Sequence, residues 1–96
     1  MNLEVSNLHS VITEIQIVPI KANEGLVAFV SFLYDRSFYF GAIGIYTRPH
    51  GGYRLTYPTR KTGISNLPIY HPINKDIADI IEKAVIDKYK EIIGEE

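Results

Sequence analysis

LVAFVSFLYDRSFYFGAIGIY, Leu26 to Tyr46, is two apolar runs of nine residues separated by Asp35-Arg36-Ser37. Both runs are rich in aromatic and β-branched side chains. Both are too short for a typical core helix, and the break between them is polar. That combination predicts two antiparallel strands joined by a tight reversal. In strict alternation, Leu26, Ala28, Val30, Phe32 and Tyr34 line one side of the first strand, and Val27, Phe29 and Leu33 the other. In the second strand Phe38, Phe40 and Tyr46 oppose Tyr39, Ile43 and Ile45. Each strand is therefore expected to be apolar on both faces.

Upstream, Val11 to Ile20 alternates as a strand that ends near Pro19, and Lys21 to Gly25 is turn chemistry. Downstream, Thr47 to Gly52 carries strong breakers. Tyr53 to Tyr57 is a short fourth strand, and Pro58 to Pro68 reads as a polar loop. From Asn74 to Ile93, apolar residues recur at Ile77, Ile80, Ile81, Ala84, Val85, Tyr89, Ile92 and Ile93, the spacing of an amphipathic helix. Asn74 suits the N-cap, Asp76 and Asp79 the positive end of the dipole, and Gly94 the stop. Asp79–Lys83 and Lys83–Asp87 are expected as surface pairs. The expectation is one α+β domain over residues 11–93: a four-stranded antiparallel sheet, about 11–57, followed by a C-terminal helix, about 74–93. Residues 1–10 read as an N-terminal extension. One helix covers one face of such a sheet, so the other face implies a homodimer formed through the sheet.

A chain of 96 residues with 46% hydrophobic and 22% charged residues is globular in composition. It has no cysteine, hence no disulfide framework and no thiolate metal site. No apolar run reaches the ~18 residues of a membrane helix. MNLEVSNLHS lacks the parts of a signal peptide. A cytoplasmic protein is the expectation. Net charge is −1, but it is segregated. Residues 1–35 carry −3 and residues 76–96 carry −4. Residues 36–75 carry Arg36, Arg48, Arg54, Arg60, Lys61 and Lys75 with no carboxylate.

His9, His50 and His71 have no metal-ligand spacing, and no nucleophile elbow or phosphate loop is present. The sequence therefore predicts no catalytic or metal site, no cofactor and no small-molecule substrate. His71, Pro72 and Asn74 read as a structural junction into the helix. The middle block remains. Period two sets Tyr53, Leu55 and Tyr57 on one face and Arg54 and Thr56 on the other. Pro58 ends the pairing, and Thr59, Arg60, Lys61 and Thr62 follow, residue types that contact phosphates. Arg54, Thr59, Arg60, Lys61 and Lys75 are the candidate nucleic-acid-binding residues.

Pro58-Thr59-Arg60-Lys61, then His71-Pro72-Ile73-Asn74, then a helix containing Ala84-Val85 and Tyr89, resembles the SpoVG (stage V sporulation protein G) family. Ile12 to Gln16 is similar to the family's first strand, and Leu33-Tyr34-Asp35 to its next reversal, so the resemblance covers about residues 11 to 89. It implies an antiparallel sheet with a C-terminal helix, a dimer and no enzymatic activity. It also implies regulation linked to septation and sporulation through DNA, and in some members RNA. Arg60 and Lys61 match the family's basic pair. Several family cations are replaced, by Gln16, Val18 and Pro19 in the first strand and by Ala78 and Ile80 in the helix. With two copies each of Arg54, Arg60 and Lys61, a dimer would meet about six phosphates, a log–log salt slope of about −5. The contrasting expectation is a protein-interaction module that has kept the fold and lost nucleic-acid binding.

Overall fold

The computed structural model describes residues 11–95; the expected extension, residues 1–10, lies outside them. Strands β1 (Ile12–Asn23), β2 (Leu26–Tyr34), β3 (Phe38–Thr47) and β4 (Tyr53–Thr56) form one antiparallel sheet in the order β1-β2-β3-β4. Helix α1 (Lys75–Ile93) packs on one face. The α+β class read from the sequence is the one observed. Two boundaries differ. β1 does not stop at Pro19 but runs to Asn23. It is an edge strand, the place in a sheet where proline is tolerated. Pro58 to Pro68 is not a loop. It holds β5 (Thr59–Thr62) and β6 (Ser65–Pro68), a two-stranded hairpin separate from the main sheet.

The register shifts at four places in the main sheet, and two of these shifts, near Glu14 and Ala42, improve the core. Thr13 pairs with Leu33 and Gln16 with Ser31, so Glu14 and Ile15 together oppose Phe32. This bulge moves the inward phase from Ile12 to Ile15 and Ile17. In β3, Phe40 pairs with Phe32 and Ile43 with Val30, so Gly41 and Ala42 together oppose Ser31. Phe40 thereby joins Ile43 and Ile45 on the face that alternation had divided. Ile12, Ala28, Val30, Phe32, Ile43 and Ile45 are buried with Ile81, Val85 and Tyr89 of α1. Glu14 (φ 52°) and Ala42 (φ 59°) sit in the left-handed region to make these shifts. For non-glycine residues that costs about 1–2 kcal/mol each. Burying a large aliphatic or aromatic side chain contributes roughly 1.5–3 kcal/mol, so gathering several on one face outweighs the strain.

The β2–β3 reversal is a tight turn closed by Ser37 N–H donating to Tyr34 O at 3.0 Å. Asp35 (φ 53°) and Arg36 (φ 54°) both lie in the left-handed region, the type I′ pattern that matches strand twist. The helix ends follow the sequence reading. Ile77 N–H donates to Asn74 Oδ1 at 3.0 Å, and Gly94 (φ 80°) closes the C-terminus with N–H groups returned to Glu91 O and Lys90 O.

Candidate nucleic-acid interface

The hairpin stands off the body because both of its legs are clamped at the base and nothing lies beneath its strands. Tyr57 precedes it and Tyr70 follows it; their rings meet edge-on at 6.0 Å between centroids. Tyr70 also packs on Phe40 at 4.9 Å, and its hydroxyl donates to Gly41 O. Ile69 N–H donates to Pro58 O at 2.9 Å. Burial, ahead of the neighbouring Tyr70 and Glu82, pushes the Tyr57 phenol up to about 12. Above this clamp every residue from Thr59 to Ile69 is exposed. The two-residue turn Gly63-Ile64 has only Gly63 (φ 60°) in the left-handed region, the pattern of a type II′ turn with glycine first.

The five predicted contact residues fall into three settings. Thr59, Arg60 and Lys61 lie on β5, exposed. Arg60 pairs with Leu67 and Lys61 with Asn66, so the two cations point to opposite faces of the ribbon. Side by side in sequence, they cannot both lie on one flat surface. Arg54 stands on β4, on the face opposite α1, with its guanidinium 4.9 Å from the centroid of the Tyr46 ring. Lys75 differs: its Nζ donates to Asp79 Oδ2 at 2.8 Å, and this hydrogen bond holds the ammonium above its ordinary pKa. A polyanion at Lys75 would have to compete with Asp79. That pairing also replaces the expected Asp79–Lys83 contact, while Lys83 pairs with Asp87 at 2.9 Å as read.

The junction residues serve the helix. Asn74 caps it, Pro72 is half-buried, and His71 Nδ1 lies 3.1 Å from Pro72 O. Arg48 is committed too: it donates to Tyr53 O at 2.9 Å and reaches Glu82 at 3.4 Å, tying the β3–β4 turn to α1. Arg54, Arg60 and Lys61 have no carboxylate within ion-pair distance among the described residues.

The face of the sheet away from α1 carries Tyr39, 71% exposed, with Phe29, Val18 and the Arg54–Tyr46 stack. Sequence reading spread aromatic residues over both faces and did not single out this set, because the bulges that sort them have no signature in alternation. The hairpin was missed for another reason. Thr-Arg-Lys-Thr and Ser-Asn-Leu-Pro lack apolar periodicity, and the usable signal was Gly63 between two four-residue segments.

A sequence model of the SpoVG family matches residues 11–91. The chain belongs to the SpoVG family. Among its relatives, the "Putative septation protein SpoVG" of Caldicellulosiruptor saccharolyticus is 37% identical over 85 residues, 86% of this chain and 94% of the relative. The protein of the same name from Clostridium novyi is 32% identical over 85 residues, 88% and 84% of the two chains. The one from Clostridioides difficile is 29% identical over 83 residues, 85% and 89%. SpoVG membership spans all four sheet strands, the hairpin and most of α1. Among the described residues, no helix is long and apolar enough to cross a membrane.

Proposed function

We propose that this chain is a non-enzymatic SpoVG-type regulator that binds DNA or RNA through the β5–β6 hairpin, acting as a homodimer in the cytoplasm in septation- or sporulation-linked gene control. The septation role is that of its named relatives. The observation that carries the binding reading is the charge state of the hairpin. Among the described residues Arg60 and Lys61 stand exposed, adjacent in sequence and without carboxylate partners; Lys21, Arg36, Arg54 and Lys90 are also without such partners, while Arg48, Lys75, Lys83 and Lys88 are matched to acids. Shape supports it. A two-stranded ribbon fits a duplex major groove about 12 Å wide, and cations on its two faces can reach phosphates on both walls.

The test is fluorescence anisotropy with labelled duplex DNA, single-stranded DNA and RNA across a salt series. The expected log–log slope of about −5 on duplex falls to about −2 in Arg60→Ala/Lys61→Ala, since about four of six phosphate contacts are lost from the dimer. An unchanged slope refutes the role of the hairpin cations. The second reading, a protein-docking module, is favoured by one observation: the hairpin also exposes Ile64, Leu67 and Ile69. A salt-insensitive partner held equally by the double variant would support it.

A further inference from the structure

The face of the sheet turned away from α1 has a construction that the hairpin reading does not use. Two glycines, Gly41 and Gly44, stand in the interior of β3. Glycine weakens a strand, and it marks places where something approaches the backbone closely. Here the approach is made by tyrosine. A Cβ at Gly41 would come within 2.8 Å of Tyr39 Oη and 2.9 Å of its Cε2. A Cβ at Gly44 would meet Thr56 Oγ1 at 2.9 Å and Tyr46 Cε1 at 3.2 Å. Both rings rest against bare backbone, and a ring laid on a sheet turns a face outward. Tyr39 is 71% exposed, and Phe29, which pairs with Gly44, is 44% exposed. Over Tyr46 the outward plane is the Arg54 guanidinium, 4.9 Å from the ring centroid.

Three planar stations thus run along the sheet: Tyr39 on Gly41, Phe29 beside Gly44, and Arg54 on Tyr46. Gly41 and Ala42 oppose Ser31, two residues from Phe29 on β2, and Tyr46 is two residues beyond Gly44 on β3. Successive stations are therefore about 7 Å apart, two residues of strand rise. A stacked nucleic-acid strand rises only about 3.4 Å per nucleotide. Bases that fill neighbouring stations must be unstacked from one another, which a duplex does not allow.

We propose that this face is a stacking platform for single-stranded nucleic acid, taking unpaired bases on Tyr39, Phe29 and the Arg54–Tyr46 pair. The proposal rests on the binding reading above and adds to it: the hairpin cations hold phosphates and the sheet holds bases. Three observations select this occupant over a protein surface. The first is shape. The stations are aromatic rings and a guanidinium plane, the side chains on which bases stack. The second is charge. Arg36, in the β2–β3 turn, and Arg54 stand at opposite ends of the row, and neither has a carboxylate within ion-pair distance among the described residues. Glu14, Glu24 and Asp35 lie at the margins, on the edge strand and in the two turns, so stacking supplies more of the affinity than phosphate attraction does. The third is continuity. β4 carries Arg54 and runs through Tyr57 and Pro58 into β5. Arg54 and Arg60 are six residues apart, at most about 20 Å, so one strand of nucleic acid can pass from platform to hairpin.

The test is fluorescence anisotropy with a labelled RNA oligonucleotide, its DNA counterpart, the duplex of the same sequence and an abasic strand of the same length. Tyr39→Ala and Phe29→Ala should each weaken binding to the single strands about 5- to 150-fold. Neither removes a cation, so their salt slopes should match wild type and their duplex affinity should not change. Tyr39→Phe keeps the ring and should keep the affinity. Arg54→Lys keeps the charge and loses the plane, so it should weaken single-strand binding at an unchanged slope. The abasic strand should bind wild type no better than the RNA binds Tyr39→Ala. Tyr39 and Phe29 are exposed, so the circular dichroism of the variants should be that of wild type. Unchanged single-strand affinity in Tyr39→Ala, equal losses on strand and duplex, or full affinity for the abasic strand overturns the platform. So does a Tyr39→Ala chain that sediments as a smaller species than wild type, which makes the face a contact between copies. The hairpin fails separately: an unchanged slope in Arg60→Ala/Lys61→Ala, with Tyr39→Ala still weak on single strands, overturns the hairpin and keeps the platform. Absence of binding to every probe overturns both together.

Discussion

The sheet β1–β4 and the hairpin β5–β6 are built from the same backbone geometry and share little else. In the sheet, two bulges place Ile12, Ile15, Ile17, Phe40, Ile43 and Ile45 on one face, and α1 covers it. In the hairpin, the register is regular from Thr59↔Pro68 to Thr62↔Ser65, and among the described residues nothing covers either side. The irregular region is the buried one and the regular region is the exposed one. Ladder hydrogen bonds therefore account for the shape of both, while stability belongs to the region that gathers its apolar side chains beneath a helix. Solvated strand hydrogen bonds exchange for bonds to water at little net gain.

Four measurements would break or sharpen this contrast. The largest effect should come from Ile43→Ala in the buried face, a loss of about 2–5 kcal/mol read from denaturant midpoints. A loss below ~1 kcal/mol would mean the bulged register is wrong. Next is alkaline stability. The folded state keeps the Tyr57 phenol neutral up to about 12, while an unfolded tyrosine ionises near 10. Its contribution is complete below about pH 10 and disappears as pH rises toward 12. Allowing for its partial exposure, this amounts to about 1 kcal/mol. Burial acts in the same direction on Tyr53, Tyr70 and Tyr89. Denaturation followed by tyrosinate absorbance should show the clamp residue titrating late, and Tyr57→Phe should flatten the alkaline decline.

Smaller and opposite in sign is Glu14→Gly. Removing the Cβ from a left-handed bulge position relieves strain, and the looser unfolded chain offsets part of that gain. A rise of about 0.5–1 kcal/mol is expected. A fall of that size would place Glu14 in a contact beyond its bulge. The smallest effect is expected for Leu67→Ala in dilute monomeric protein, within about 0.5 kcal/mol, because the hairpin strands bury nothing there. A loss comparable to that of Ile43→Ala would show that the hairpin packs on its own body.

The order of strands, the Asp35–Ser37 reversal and the helix with its Asn74 and Gly94 caps were legible because each rests on a local signal: alternation, turn residues, a 3.6-residue period. The family could be read from Pro58 to Lys61 and from His71 to Asn74. The candidate cations were legible as types, but their geometry was not. Lys75 looked as available as Arg60 until Asp79 was found 2.8 Å away. Arg60 and Lys61 looked like one patch until the register turned them to opposite sides of a ribbon.

The amino-acid sequence by itself determined the α+β composition of the fold, the helix and its ends, and the acid-free middle segment, because propensity, capping and charge are properties of neighbouring residues. Only the tertiary structure decided which face Phe40 and Ile15 occupy, that Pro58–Pro68 holds a hairpin, and that this hairpin finds no cover among the described residues. Those depend on a single extra residue between strands paired across many positions, and on whether apolar side chains can reach a partner surface. Both are non-local, and a strand displaced by one residue presents every side chain to the opposite side.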